Sequence, residues 1–185
     1  MIDLLRAAEA VQRMCRRHRW RFCFIGGIAV QRWGEPRLTD DIDLTILTGF
    51  GKELEFITAV LAELHARSAD AREFALENRV LLVKTRQNID VDISLGALPF
   101  EESVVERASP FRFRPRVTLL TCSAEDLIVL KAFANRARDW VDVEGVLARQ
   151  RGKLSWRYIW AQLRPLVELK GEPEILVHLK RLQRR

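Results

Sequence analysis

Two short segments with alternating carboxylate and aliphatic side chains constrain the fold of this chain most strongly. They read Asp41-Ile-Asp-Leu44 and Ile89-Asp-Val-Asp-Ile93. Because side chains two apart along a β-strand point to the same side, each segment is predicted to be a strand with one acidic and one apolar face. The aliphatic side chains then face a core, and the two carboxylates of each strand lie about 7 Å apart on the opposite face.

Hydrophobic spacing divides the rest of the chain into two regions that meet near residue 121. The first is predicted to alternate between helices and strands, with helices over residues 2–19, 52–66 and 100–107, strands over 21–25, 41–47, 79–85 and 89–95, and an extended segment over 112–120. The strands over 79–85 and 89–95 are close enough in sequence to form an antiparallel hairpin.

The second region is predicted to be helical. Ser123 is expected to cap a helix that continues to about Gln150, Ser155 to cap the next one, and Pro165 and Pro173 to divide the remainder into short helices. The chain is therefore predicted to be α+β, with a small mixed β-sheet flanked by helices and a helical C-terminal region. We expect a core over residues 1–121 and a helical region over residues 122–185 that packs on it as one compact unit.

A Gly26-Gly27 turn lies between the first predicted strand and a short predicted helix. Glycine lets the backbone come close to a phosphate, and a helix that starts there presents N–H groups and the positive end of its dipole. Thirteen residues separate Gly27 from Asp41. Within that loop, Arg37 and Thr39 either contact a phosphate or shape the turn.

A phosphate-binding turn opposite an acidic strand face indicates metal-assisted nucleotidyl transfer. Carboxylates on one strand face repel each other unless a cation relieves them, and Mg²⁺ takes one or two carboxylates together with substrate phosphates and water. We predict that Asp41 and Asp43 hold Mg²⁺, with two ions in the complete site and Mn²⁺ as a substitute. A third carboxylate is expected from Asp92, because it lies nearer the end of its strand, or else from Asp90.

The block formed by Gly26-Gly27, Asp41 and Asp43, followed by an apolar-Asp-apolar strand, resembles the nucleotidyltransferase superfamily with the polymerase-beta-type fold. Later segments, Ser123-Ala-Glu-Asp-Leu-Ile-Val-Leu-Lys131 and Arg138-Asp-Trp-Val-Asp142, resemble the small prokaryotic branch that includes the AbiEii-like toxins.

The resemblance implies a role for several individual residues. Asp41 and Asp43 would be metal ligands and Asp92 the third acid. Lys131 would meet the triphosphate, and Asp139 or Asp142 would be the later acid. The residues also permit a plainer interpretation, in which Lys131 lies on the flank of a helix and the two later aspartates form ion pairs with neighbouring arginines.

The predicted activity is transfer of a nucleoside monophosphate from a nucleoside triphosphate, ATP among the candidates, to an acceptor hydroxyl. The acceptor would be the end of an RNA such as tRNA, a protein side chain or a small molecule. The toxin resemblance implies an antitoxin-like partner protein. The alternatives are a catalytically silent nucleotide- or nucleic-acid-binding subunit of the same fold, and a metal-dependent nuclease, in which the glycine turn would have no use.

The net charge and the cysteine content indicate the type of partner and the cellular location to expect. The formal charge of +6 favours an anionic partner. Three scattered cysteines, Cys15, Cys23 and Cys122, argue against a disulfide framework and a zinc site, so we expect reduced thiols and a cytoplasmic protein. The charged amino terminus does not resemble a signal peptide, and no apolar run reaches the roughly 20 residues that span a membrane.

Overall fold

The computed structural model describes residues 2–184, which form seven strands and nine helices. In chain order these are α1 (Ile2–Arg17), β1 (Phe22–Phe24), α2 (Gly26–Trp33), β2 (Asp41–Leu47), α3 (Glu53–Leu61), β3 (His65–Ala66), α4 (Ala71–Asn78), β4 (Val80–Lys84), β5 (Asp90–Gly96), α5 (Pro99–Glu106), β6 (Ser109–Arg114), β7 (Val117–Thr121), α6 (Ala124–Ala134), α7 (Ala137–Arg149), α8 (Trp156–Lys170) and α9 (Glu174–Gln183). None of these helices has the length and apolarity needed to cross a membrane.

All the strands of the described residues belong to one sheet, in the order β3-β4-β5-β2-β1-β7-β6. The β2–β5 and β1–β7 pairs are parallel and the others antiparallel, so the sheet is mixed. The prediction of an α+β chain with a mixed sheet and a helical C-terminal region is confirmed. The predicted hairpin of β4 and β5 is also present.

The apolar face of the central strands forms the main core. Ile42, Leu44 and Ile46 of β2 are completely buried, as the alternating pattern predicts. Helices α1, α3 and α4 contribute to the same cluster with the buried side chains Leu4, Leu5, Val11, Met14, Ile57, Val60, Ala71 and Ala75. This packing leaves the acidic positions of β2 and β5 on the other face of the sheet.

The chain divides into two compact units. The first unit contains the chain up to Ile28 together with Leu38–Cys122, and it holds the whole sheet. The second unit contains Ala29–Arg37 together with the chain from Ser123 onward, and it is helical. The glycine turn and the acidic strands therefore belong to the first unit, whereas Arg37 belongs to the second.

The region predicted as one helix over residues 52–66 is different in the structure. Helix α3 ends at Leu61, and a two-residue strand, β3, then pairs with β4 before the unpredicted helix α4 begins. Apolar residues at helical spacing continue past Leu61, but Leu64 packs on the core from outside the helix. Pairing with the edge of β4 outweighs the helical pattern here.

The helix predicted from Ser123 to Gln150 is interrupted. Ser123 caps α6 as predicted, accepting a hydrogen bond from the Asp126 N–H at 3.1 Å. At Asn135 the backbone turns left-handed, with φ of 59°, and α7 starts two residues later. Asn135 tolerates this conformation better than most residues do, and its side chain accepts a hydrogen bond from Trp140 Nε1 at 2.8 Å.

Pro165 does not end a helix, contrary to the prediction. It lies inside α8, which runs on to Lys170. Ile159, Leu163 and Val167, spaced four residues apart, form a buried stripe across the proline. Burial of this stripe outweighs the cost of about 3 kcal/mol that an internal proline imposes.

In the first unit, the segment predicted only as extended over residues 112–120 forms the β6–β7 hairpin.

Gln12 links helix α1 to the sheet and provides a test of this packing. Its side chain is buried, its Nε2 donates to Thr118 O at 2.7 Å, and its Oε1 accepts from Leu120 N at 2.9 Å. Gln12→Leu leaves both backbone groups of β7 without this partner, so we expect a loss of about 1–3 kcal/mol in the free energy of unfolding, measured in urea. The exposed Gln87→Leu is the control and should change it by less than about 0.5 kcal/mol. Equal effects of the two substitutions would contradict this account.

Candidate active site

The nine residues predicted for the site form two clusters, each within one unit. The first unit contains Gly26, Gly27, Thr39, Asp41, Asp43 and Asp92, and the second contains Arg37, Lys131 and Asp142. Each cluster is built by its own elements of secondary structure.

Parallel pairing of β2 with β5 brings the acidic residues of the two strands together. In this register Asp41 is opposite Asp90, and Asp43 is opposite Asp92. Residues paired across neighbouring strands point to the same face, so all four carboxylates lie in one patch. Alternation along each strand predicted the face, but the pairing and its register are properties of the tertiary structure.

One arginine and one lysine neutralise part of this acidic patch. Arg67 Nη1 donates to Asp90 Oδ2 and Arg67 Nη2 to Asp92 Oδ1, both at 2.8 Å. We call these two contacts the Arg67 bridge. Lys84 Nζ lies 3.3 Å from Asp90 Oδ1. Asp90 therefore has two cationic partners among the described residues and Asp92 has one.

The pKa values of these two aspartates shift in opposite directions. For Asp92, burial raises the pKa; the charge of Arg67 opposes the rise, and the carboxylates of Asp41 and Asp90 add to it. For Asp90, partial burial also acts upward, but hydrogen bonds from Arg67 and Lys84 outweigh it and lower the pKa. The negative charge at Asp92 is thus the less fully compensated of the two.

The glycine turn lies directly against the acidic strand. Gly26 has a φ of +53°, and a Cβ atom there would be 1.9 Å from Asp43 Oδ2. The Gly27 N–H points to the same oxygen at 3.4 Å, and a Cβ atom at Gly27 would be 2.2 Å from Thr39 Oγ1. Side chains at either position would displace Asp43 or Thr39, which explains why both residues are glycine.

The carboxylates have the chemistry of a divalent-cation site but do not form a ready-made cage. Thr39 Oγ1 donates to Asp41 Oδ1 at 2.7 Å, and the Arg67 bridge holds Asp92. Among residues 2–184, no three His, Cys, Asp or Glu side chains converge closely enough to hold an ion. The concentration of carboxylate oxygens on one face of β2 and β5 nevertheless fits Mg²⁺, which completes its shell with phosphates and water.

The second cluster is a buried ion-pair network. Arg37 binds Asp142 through two hydrogen bonds, Nε to Oδ1 at 2.7 Å and Nη2 to Oδ2 at 2.8 Å. Lys131 Nζ lies 2.8 Å from Asp139 Oδ1 and 3.0 Å from Asp142 Oδ2. Lys131, Asp139 and Asp142 are all buried, and Arg136 is a further partner of Asp139.

The interruption between α6 and α7 makes this network possible. In a continuous helix, residues 131 and 139 would be about 12 Å apart along the axis, too far for contact. The turn at Asn135 directs α7 so that Asp139 reaches Lys131. Burial acts to raise the pKa of Asp139 and Asp142, but hydrogen bonds from the neighbouring cations outweigh it and lower both.

Arg67 is the cation that bridges two site carboxylates, and the sequence did not reveal it. It comes directly after the helix predicted over residues 52–66, and β3 was not predicted, so no strand pattern placed Arg67 beside the aspartates. The Ser68-Ala-Asp70 segment was the available signal, because such residues favour turns and helix starts and therefore mark a new element just after Arg67.

Asp142 offers a test of the buried network. We expect Asp142→Asn to lower the free energy of unfolding at pH 7 by about 3–5 kcal/mol, because Arg37 and Lys131 lose a buried charged partner. Since the pKa of Asp142 is lowered in the folded state, its contribution is present above the unfolded-state pKa of about 3.9 and is lost as pH falls through the folded value. Denaturant unfolding from pH 7 to pH 2.5 should therefore show the difference from wild type shrinking in acid. The exposed Glu168→Gln should follow the wild-type curve, and a difference independent of pH would contradict the ion-pair explanation.

Comparisons with known proteins identify the family and the fold of the chain. The family model of the nucleotidyl transferase AbiEii toxin, type IV toxin–antitoxin system, matches residues 11–184. No curated protein matches the chain in sequence. Among solved structures, an antigenic nucleotidyltransferase-like protein from Paracoccidioides brasiliensis has a TM-score of 0.57 at 12% identity, over 96% of this chain and 92% of that one.

A second solved structure, the antibiotic-resistance factor ANT(2'')-Ia, has a TM-score of 0.52 at 14% identity, over 96% of this chain and 95% of that one. At such identities the likeness concerns the fold. The match of the family model covers most of the sequence, and the chain therefore belongs to the family of AbiEii nucleotidyltransferase toxins of type IV toxin–antitoxin systems and is a nucleotidyltransferase.

Proposed function

We propose that this enzyme transfers a nucleoside monophosphate from a nucleoside triphosphate to an acceptor hydroxyl and requires a divalent cation bound by Asp41, Asp43 and Asp92. The observation that supports this most is the register of β2 and β5, which places these carboxylates on one face beside the glycine turn. When bound there, Mg²⁺ would supply positive charge to the triphosphate and lower the pKa of the attacking hydroxyl.

Within the proposal, Asp92 is the third carboxylate that binds the cation. Arg67 Nη2 already donates to Asp92 Oδ1, so Oδ2 is the oxygen assigned to the cation. Asp90 is less suited to this role, because it pairs with two cations, Arg67 and Lys84.

The first turn of α2 is assigned to phosphate binding. The Gly27 N–H is directed at Asp43 Oδ2 over 3.4 Å, a long and therefore weak hydrogen bond that a phosphate oxygen can replace. Thr39 is assigned to orienting Asp41, to which its hydroxyl donates.

Arg37 remains a substrate-binding candidate because of its place in the loop before Asp41, and Lys131 and Asp142 remain candidates by resemblance only. Lys131 already contacts two carboxylates, and Arg37 is bound through two hydrogen bonds to Asp142. A triphosphate that bound either cation would compete with these ion pairs. A role in ordering the second unit is the better supported assignment for Asp142.

For the acceptor we favour RNA, because the net charge of +6 attracts a polyanion. Membership of a toxin family supports an action on a component of the host cell that an antitoxin counteracts. A cytoplasmic location, where nucleoside triphosphates and RNA are available, is part of the proposal.

Labelled nucleotides test the activity and identify the acceptor. The protein and a cell extract are incubated with each α-labelled nucleoside triphosphate and Mg²⁺. We expect label on RNA with the wild-type protein and a decrease of about 1,000-fold or more in Asp41→Asn, Asp43→Asn, because charge stabilisation by the cation is worth several kcal/mol. Chelation of the metal should have the same effect.

The exposed neighbour Asp40→Asn is the matched control and should keep wild-type activity. Label on protein or a small molecule would correct the acceptor but keep the reaction. Absence of label with all four nucleotides would favour the silent binding subunit, and shortened RNA without label would favour the nuclease.

Gly26→Ala tests the contact between the glycine turn and Asp43. We expect transfer to fall by about 100-fold, because a Cβ atom 1.9 Å from Asp43 Oδ2 must displace that carboxylate. Gly49→Ala is the control, since Gly49 also has a positive φ, of +70°, but has open space where its Cβ would be. Both substitutions should cost about 1–2 kcal/mol of stability in thermal unfolding. Similar activities of the two variants would contradict the role of the close contact.

A further inference from the structure

The Arg67 bridge joins two carboxylates of the acidic patch that belong to the same strand. Both of its contacts measure 2.8 Å, and the Arg67 side chain is only 24% exposed. An arginine guanidinium is planar and always charged, so it fixes the direction of the carboxylates that it binds. Among the cations of the described residues, Arg67 pairs with both Asp90 and Asp92, whereas Lys84 pairs with Asp90 alone.

The backbone places Arg67 for this contact. Its N–H donates to Leu82 O at 3.1 Å, which continues the pairing of β3 with β4 by one residue. Leu82 is in turn opposite Asp92 in the β4–β5 register. The Arg67 backbone is therefore hydrogen-bonded to β4, and β4 is the neighbour of β5, the strand that holds Asp90 and Asp92.

We propose that Arg67 is a positioning residue for Asp92, and that its charge keeps the acidic patch from binding divalent cations tightly before the triphosphate arrives. This inference rests on the proposed function and extends it to the regulation of metal binding. The bridge holds Asp92 Oδ1 and leaves Oδ2 to the cation. The positive charge of the guanidinium offsets part of the attraction that four carboxylates exert on a cation.

Lys84 supplies a comparison within the same patch. It also adds one positive charge, but it reaches only Asp90, at 3.3 Å, and its Nζ is shared with Asn88 Oδ1 at 3.1 Å. It does not orient Asp92. Loss of Lys84 therefore removes a charge from the patch without removing the positioning contact.

The test compares Arg67→Met, Arg67→Lys and Lys84→Met with the wild type in two measurements. The first is Mn²⁺ binding to the nucleotide-free protein, followed by the electron paramagnetic resonance signal of free Mn²⁺. The second is the kcat of label transfer at saturating nucleotide. Circular dichroism and thermal unfolding establish that each variant is folded.

For Arg67→Met we expect tighter Mn²⁺ binding, by about three- to tenfold, because a cation beside the site is lost. We expect its kcat to fall by about 10- to 100-fold, because Asp92 is no longer held. Arg67→Lys keeps the charge and loses the two-carboxylate contact, so its Mn²⁺ affinity should stay near wild type while kcat falls. Lys84→Met should change kcat by less than about twofold.

Opposite changes in affinity and rate separate this role from a structural one. If Arg67→Met weakens both Mn²⁺ binding and transfer, or changes neither, the inference is wrong. If Arg67→Met does not fold, Arg67→Lys decides: reduced kcat at unchanged Mn²⁺ affinity supports the inference, and unchanged kcat overturns it. If the wild-type protein transfers no label, the proposed function fails, but an unchanged or weakened Mn²⁺ affinity in Arg67→Met still overturns the inference by itself.

Discussion

Repulsion among the carboxylates of two neighbouring parallel strands is the constraint on which the first unit depends. Asp41, Asp43, Asp90 and Asp92 share a face because the aliphatic residues between them occupy the core. Such a patch is stable only if cations or hydrogen-bond donors compensate it. The compensation is uneven, being strong at Asp90 and weaker at Asp92, where the pKa is raised. This unevenness provides the chemical difference between two aspartates that are equivalent in the sequence pattern.

In the second unit, buried charges are compensated by ion pairs with one another. Its cations and carboxylates pair with one another, and the pKa values of Asp139 and Asp142 are lowered. A network of this kind orders the elements that contribute to it, here the loop before Leu38 and helices α6 and α7. The contrast between the two clusters is physical: cations lower the pKa values of Asp139 and Asp142, whereas burial and neighbouring carboxylates raise the pKa of Asp92.

Errors in the sequence interpretation have a common cause. The predicted helix over residues 52–66 and the predicted continuous helix up to Gln150 both followed local apolar spacing. In one case pairing with the edge of β4 ended the helix, and in the other a left-handed Asn135 redirected it. Pro165 was predicted to end a helix, but α8 continues past it because buried side chains on both sides of the proline pack in the core. In each case packing with distant residues outweighed a local preference.

The sequence by itself determined which residues form the acidic strands, which face of each strand is buried, and that a turn without side chains precedes the short helix α2. These properties depend on strand alternation and on the absence of a side chain, both of which are local. The tertiary structure alone decided the register that joins the two acidic pairs, the arrival of Arg67 from a different strand, and the return of Asp139 to Lys131. Each of these joins residues distant in sequence or separated by a turn, so no local periodicity could specify it.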